Sequence, residues 1–190
     1  MPTIITHAAI PLAIGLGLGS SVVSRRLLLA GVAASMLPDA DVLGFHLGVP
    51  YGHALGHRGV SHALVSAVLM GLTAALGAPW IKSTRLKAFL FVAICMASHG
   101  VLDMLTDGGK GVALFWPFSE QRHFFPWRPV AVSPLGLDRI LSRRGLEVAL
   151  SELRWVWLPA LTACATMYFG VRPLLRNSFL IGVRPQDPGN

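Results

Sequence analysis

Charged residues and cysteines are scarce in this chain. Only 13% of its 190 residues are Asp, Glu, Lys or Arg, against 53% hydrophobic residues, and the mean hydropathy is +0.60. The charged share is about half that of a soluble domain, which argues for a membrane protein. The two cysteines, Cys95 and Cys164, sit in apolar runs without CxxC spacing, so they point to neither a disulfide framework nor a thiolate metal site. There is no HExxH and no GxSxG, so a zincin-type membrane protease and a serine-elbow hydrolase both lack their motifs. Basic residues outnumber acidic ones by 16 to 9, but they are scattered between apolar runs. That scatter suits anionic lipid headgroups and topology signals, not a specific nucleic-acid stripe. No basic region precedes the first apolar run, because Arg25 and Arg26 follow it, so that segment is expected to be retained. With no internal repeat, low-complexity tract or linker, the chain reads as a single integral membrane domain, 1–190.

Apolar runs supply the organisation. Spans are expected at 5–23, 27–48, 62–81, 86–106 and 155–171, which predicts an all-α, multi-pass helical bundle of four to five spans. The second is broken at Pro38-Asp39-Ala40-Asp41. Its uninterrupted part, LLLAGVAASML, reaches only about 17 Å at the helical rise, so the chain is expected to turn at Pro38. Irregular backbone at that depth must be covered by protein or line a polar cavity. Residues 1–136 hold the candidate chemistry. An amphipathic helix over Leu137–Leu153 and the last span fill 137–175, and a frayed tail covers 176–190.

Arg25 and Arg26 join the first two spans, and Lys82, Arg85 and Lys87 join the third and fourth, which puts both short loops on one membrane face. His7, Asp39, Asp41, His57, His62, His99, Asp103 and Asp107 all fall toward the opposite ends of their spans and form one layer. The positive-inside rule makes the short loops cytoplasmic and the layer outward-facing, while basic residues of the long 107–154 loop pull against that orientation.

His99, Asp103 and Asp107 recur every four residues and share a helix face. A helix-end hydrogen-bonding set is the bland alternative, opposed by the cost of three ionisable groups inside a membrane. Asp39 and Asp41 point the same way only on extended backbone; a Pro/Asp turn is the ordinary reading, and a cation between them relieves their repulsion. In HRGVSH, His57 is placed on a loop and His62 at a helix start, with Ser61 as helix cap instead of nucleophile. His46 and His53 are read as bystanders, and His7 joins the set because it shares the layer. Together His7, His57, His62 and His99 with Asp39, Asp41, Asp103 and Asp107 offer four imidazoles and four carboxylates without cysteine, an expected metal centre that suits zinc or manganese and accommodates more than one ion. Such a centre activates water for hydrolysis, with Arg58 clamping an anionic oxygen and Asp41 or Asp107 relaying a proton.

The ordered set TH at 6–7, PDAD at 38–41, HRGVSH at 57–62, HGVLDMLTDGG at 99–109 and WPFSEQR at 116–122 resembles the YdjM-like family of LexA-regulated, inner-membrane-associated metal-dependent hydrolases over residues 1–136. It is more distantly similar to zinc-dependent phospholipases C and related nucleases, whose His-x3-Asp helix matches His99 and Asp103, with Asp39, His57 and His62 as further ligands. Ser61 stands where a threonine is commoner. The resemblance implies a metal-dependent hydrolase at a bacterial inner membrane. Its expected substrate is a phosphoester, such as a phospholipid or lipid-linked phosphate. The aromatics and arginines of ALFWPFSEQRHFFPWRP form an interfacial belt in preference to a base-stacking surface, with Arg122 near lipid phosphate. Two other classes compete: a metal-ion or proton-coupled carrier with the His/Asp cluster as its ion site, and a structural metal clip.

Overall fold

The computed structural model describes residues 1–133 and 142–175. Among them every regular element is helical, with isolated bridges only at Thr106–Val130 and Val112–His123. A 3-10 segment Ile4–Ala8 leads into α1 (Ala9–Leu18), which ends at Gly19 with φ of 79°. Then come α2 (Arg25–Met36), α3 (Leu64–Leu76), α4 (Arg85–Met104), α5 (Arg143–Glu152) and α6 (Leu158–Thr166). The side chains of Ser24, Thr84 and Ser142 accept the free N–H groups of Leu27, Lys87 and Gly145, which fixes where α2, α4 and α5 begin. Helical backbone then runs unbroken from 143 to 175, passing through π turns at Leu153–Trp157 and Met167–Val171. The expected start of an amphipathic helix at Leu137 and the 176–190 tail fall outside the described residues.

Two cores hold the bundle. Leu27, Ala67, Phe91, Val92, Cys95 and Met96 interlock α2, α3 and α4; Ala9, Ala13, Leu102, Val156 and Ala160 join α1 and α4 to the last helix. The α3–α4 approach is close enough that a Cβ on Gly71 would lie 2.8 Å from the Phe89 carbonyl oxygen, so a glycine is required there. Outward faces are apolar as well: Leu16, Leu69, Leu72, Leu90, Ile94 and Leu161 are all exposed, a surface suited to hydrocarbon more than to water.

Among the described residues two helices are long and apolar enough to cross a bilayer, Arg25–Leu47 and Arg85–Met104, while Ile4–Leu18 and Leu64–Leu76 are apolar but shorter. Length and composition thus support two of the four to five expected spans, and 155–171 is not one of the two. The chain does not turn at Pro38. It tightens from α-helix into a 3-10 helix, Leu37–Leu47, closed by Gly48 in the left-handed conformation. The two short basic loops do meet at one end of the bundle, where Ser24 donates to the Ile81 carbonyl and Arg26 to that of Trp80.

Candidate metal centre

Five separate stretches of chain converge at the other end. His7 comes from the 3-10 turn before α1, Asp39 and Asp41 from the continuation of α2, His57 and Arg58 from the loop before α3, His62 from a 3-10 turn, and His99 and Asp103 from α4. His7, Arg58, His99 and Asp103 are wholly buried, and Asp39, His57 and His62 nearly so.

The change of helix type sorts the PDAD carboxylates. On a 3-10 helix, residues two apart diverge by about 120°, so Asp39 and Asp41 do not point the same way as extended backbone would have them. Instead they address opposite nitrogens of one ring: Asp41 Oδ2 lies 3.2 Å from His62 Nδ1, and Asp39 Oδ1 lies 3.9 Å from His62 Nε2. Pro38 contributes too, because it has no N–H to give the carbonyl three residues back, that of Ser35. His99 Nδ1 donates to that carbonyl at 2.7 Å.

These outer contacts set the inner ones. Since a carbonyl only accepts, His99 carries its proton on Nδ1 and presents a lone pair at Nε2. With Asp41 and Ser61 at its Nδ1, His62 likewise turns Nε2 inward, and the two Nε2 atoms stand 2.9 Å apart. Asp103 Oδ2 is 3.3 Å from His62 Nε2, Asp39 Oδ1 is 3.4 Å from His99 Nε2, and His7 Nε2 is 3.7 Å from both carboxylates. Facing lone pairs and carboxylate oxygens repel unless a positive charge sits among them. Both carboxylates of Asp39 and Asp103 and both ring nitrogens of His7 are buried without a hydrogen-bond partner. Ligand atoms of Asp39, His62, His99 and Asp103 all lie within 4.8 Å of one another, so this buried group could hold a metal ion. Asp41, His57 and His62 form a second such group, with His57 Nδ1 2.6 Å from Asp41 Oδ1.

Charge points the same way. Asp39, Asp41 and Asp103 bring three carboxylates together, and among the described residues only Asp103 is paired with a guanidinium, that of Arg58, so a cation among them would relieve their repulsion.

Two expected residues are employed differently. Arg58, expected to clamp a substrate oxygen, has its guanidinium turned to the protein: Nε meets Asp103 Oδ2 at 3.0 Å, and the other nitrogens donate to the Gly108 carbonyl and Thr106 Oγ1. It is sealed in, and it aims Asp103. Gly109, at φ 92°, makes room for it, since a Cβ there would lie 2.8 Å from its guanidinium. Asp107 is not brought to the cluster. Beyond Met104 the helix has ended, so the every-four-residues face no longer applies; Asp107 accepts from Val132 N and lies 3.8 Å from Arg144, half exposed. Ser61 does not cap α3 but bonds Asp41 and His62. His46 and His53 are exposed, as expected of bystanders.

Sequence reasoning missed three contributors. Thr106, wholly buried, fastens Arg58. Ser35 acts through its carbonyl, which a sequence motif cannot display. Arg122 points inward, not at lipid, donating to the carbonyls of His57, Arg58, Tyr51 and His53 and so stapling the ligand loop; burial lowers its pKa and raises that of Tyr51. The surface cavity of about 720 Å³ along Arg154, Leu158 and Thr162 shares no residue with the cluster.

A family model described as YdjM inner membrane protein matches residues 1–179. A protein of Escherichia coli (strain K12) described as inner membrane protein YbcI is 47% identical over 170 residues, covering 89% of this chain and 98% of that relative. No solved structure matches.

Proposed function

The chain belongs to the YdjM inner membrane protein family, and from that premise we propose that it is a membrane-bound, metal-dependent hydrolase of a phosphoester, such as a phospholipid or a lipid-linked phosphate. One observation carries the reading: one ligand atom each from His62, His99, Asp39 and Asp103, all buried and the two carboxylates without a hydrogen-bond partner among the described residues, lie within 4.8 Å of one another. Oxygen and nitrogen donors without sulfur favour zinc or manganese over soft metals. Bound there, a divalent cation would supply Lewis acidity toward a phosphoryl oxygen and an activated water.

The chain's own residues do the rest. Asp39, His62, His99 and Asp103 would hold the cation, with His7 beside both carboxylates. Arg58 pairs with Asp103 and aims it. Asp41, whose side chain is 7% exposed and so closest to solvent in the cluster, is the group placed to take up and pass on a proton through His57 and Ser61. We further read the shorter apolar helices and the last helix as membrane-embedded, which restores a multi-pass bundle, and the aromatic loop around Phe118 and Trp127 as interfacial.

Purified protein in lipid nanodiscs, loaded with zinc or manganese and offered phospholipid and lipid-pyrophosphate substrates, is expected to release phosphate or headgroup in a chelator-sensitive manner. Metal flux across proteoliposomes without turnover would move the assignment to a carrier. The ligands' confinement to one end of the bundle disfavours that class, since a carrier needs access from both faces.

A further inference from the structure

Glu152 is a buried carboxylate that the chemistry above does not use. It ends α5, is 4% exposed, and makes no ion pair among the described residues. Its partners all belong to the segment that delivers His7: Thr3 N donates to Oε1, and the hydroxyls of Thr3 and Thr6 donate to Oε2, each at 2.7 Å. Trp157 joins the same knot, its Nε1 donating to Thr6 Oγ1 at 3.1 Å.

In an α-helix, residues 152 and 157 would lie about 140° apart around the axis. The turn between them is a π turn, Leu153–Trp157, in which the Leu158 N–H reaches back five residues to Leu153. Its extra residue per turn brings both side chains round to Thr6.

His7 needs this help more than the other histidines. His99 is oriented by the Ser35 carbonyl, and His62 and His57 by Asp41, whereas neither ring nitrogen of His7 has a hydrogen-bond partner. Its ring is steadied by stacking on His99, with centroids 3.6 Å apart, and otherwise only by where its backbone is held.

We propose that Glu152, with Trp157 across the π turn, is a positioning residue that latches the 3–8 segment to the last helix and thereby sets His7 as a ligand. The proposal rests on the metal-centre reading for its effect on the ion, though not for the latch itself. The test compares full-length wild type with Glu152→Ala, Glu152→Gln, His7→Ala and, as a control on the same helix, Glu147→Ala, which removes only exposed pairs with Arg143 and Arg144. Hydrogen–deuterium exchange without metal reads the latch, and the visible spectrum and affinity of bound cobalt(II) read the ligand set.

Glu152→Ala is expected to speed exchange in residues 3–8 while leaving residues 92–103 of α4 protected, and to shift the cobalt spectrum as His7→Ala does, with affinity about 10–100-fold weaker, as for other residues that orient a ligand. Glu152→Gln, which keeps an acceptor for Thr3 N, is expected to restore most of both, and Glu147→Ala to match wild type. Unchanged exchange in residues 3–8 of Glu152→Ala overturns the latch whether or not cobalt binds. Faster exchange there with an unchanged cobalt spectrum overturns its role at His7. Exchange as expected in a wild type that binds no cobalt overturns the metal reading instead.

Discussion

The two ends of the bundle treat charge in opposite ways. At one end Arg25, Arg26, Arg85 and Lys87 in the first turns of α2 and α4, and Lys82 on the loop before α4, cluster beside the capping Ser24 and Thr84, every one exposed. At the other, His7, Arg58, His99 and Asp103 are sealed from solvent, with Arg58 Nε 3.0 Å and the His7 and His99 Nε2 atoms 3.7 and 3.9 Å from the Asp103 carboxylate. Exposed cations at a membrane face cost little and serve topology. Buried ionisable groups are expensive unless they compensate one another, so a chain that keeps this many points to a use for them.

The sharpest way to break the comparison is to remove charge from the sealed end. Asp103→Ala leaves Arg58 buried without its carboxylate partner and is expected to destabilise the fold by about 3–5 kcal/mol, as well as abolishing metal binding; thermal unfolding and metal content check both. Asp41→Ala should act at one remove, because it orients His57 and His62 without occupying the central group, and titration calorimetry is expected to show affinity lowered about 10–100-fold. Acidification works in the same direction: cation binding must displace protons from the imidazoles, so affinity is expected to weaken as pH falls. Removing charge outside the cluster is the smallest perturbation. Asp107→Asn and Lys87→Ser are each expected to change stability by less than about 0.5 kcal/mol and metal affinity not at all. A loss of metal on Asp107→Asn would reinstate the four-residue repeat as a ligand series.

That repeat shows how far the sequence could be read. His99 and Asp103 were legible because helical periodicity places them on one face, but periodicity says nothing about where the helix stops, and it stops before Asp107. Apolar runs revealed helices and the shared end of the basic loops, whereas the 3-10 continuation past Pro38 was hidden, since proline equally announces a turn. Long-range hydrogen bonding was the least visible layer: Arg122 on loop carbonyls, Ser35 behind His99 and Glu152 beneath Thr6 join residues 64 to 146 positions apart.

The central claim is that the sealed end is built around a divalent cation. Elemental analysis of protein purified without added metal or chelator tests it most directly. The account predicts at least one zinc or manganese ion per chain in wild type and none in His99→Ala; wild-type protein that is folded and carries no stoichiometric transition metal would contradict it.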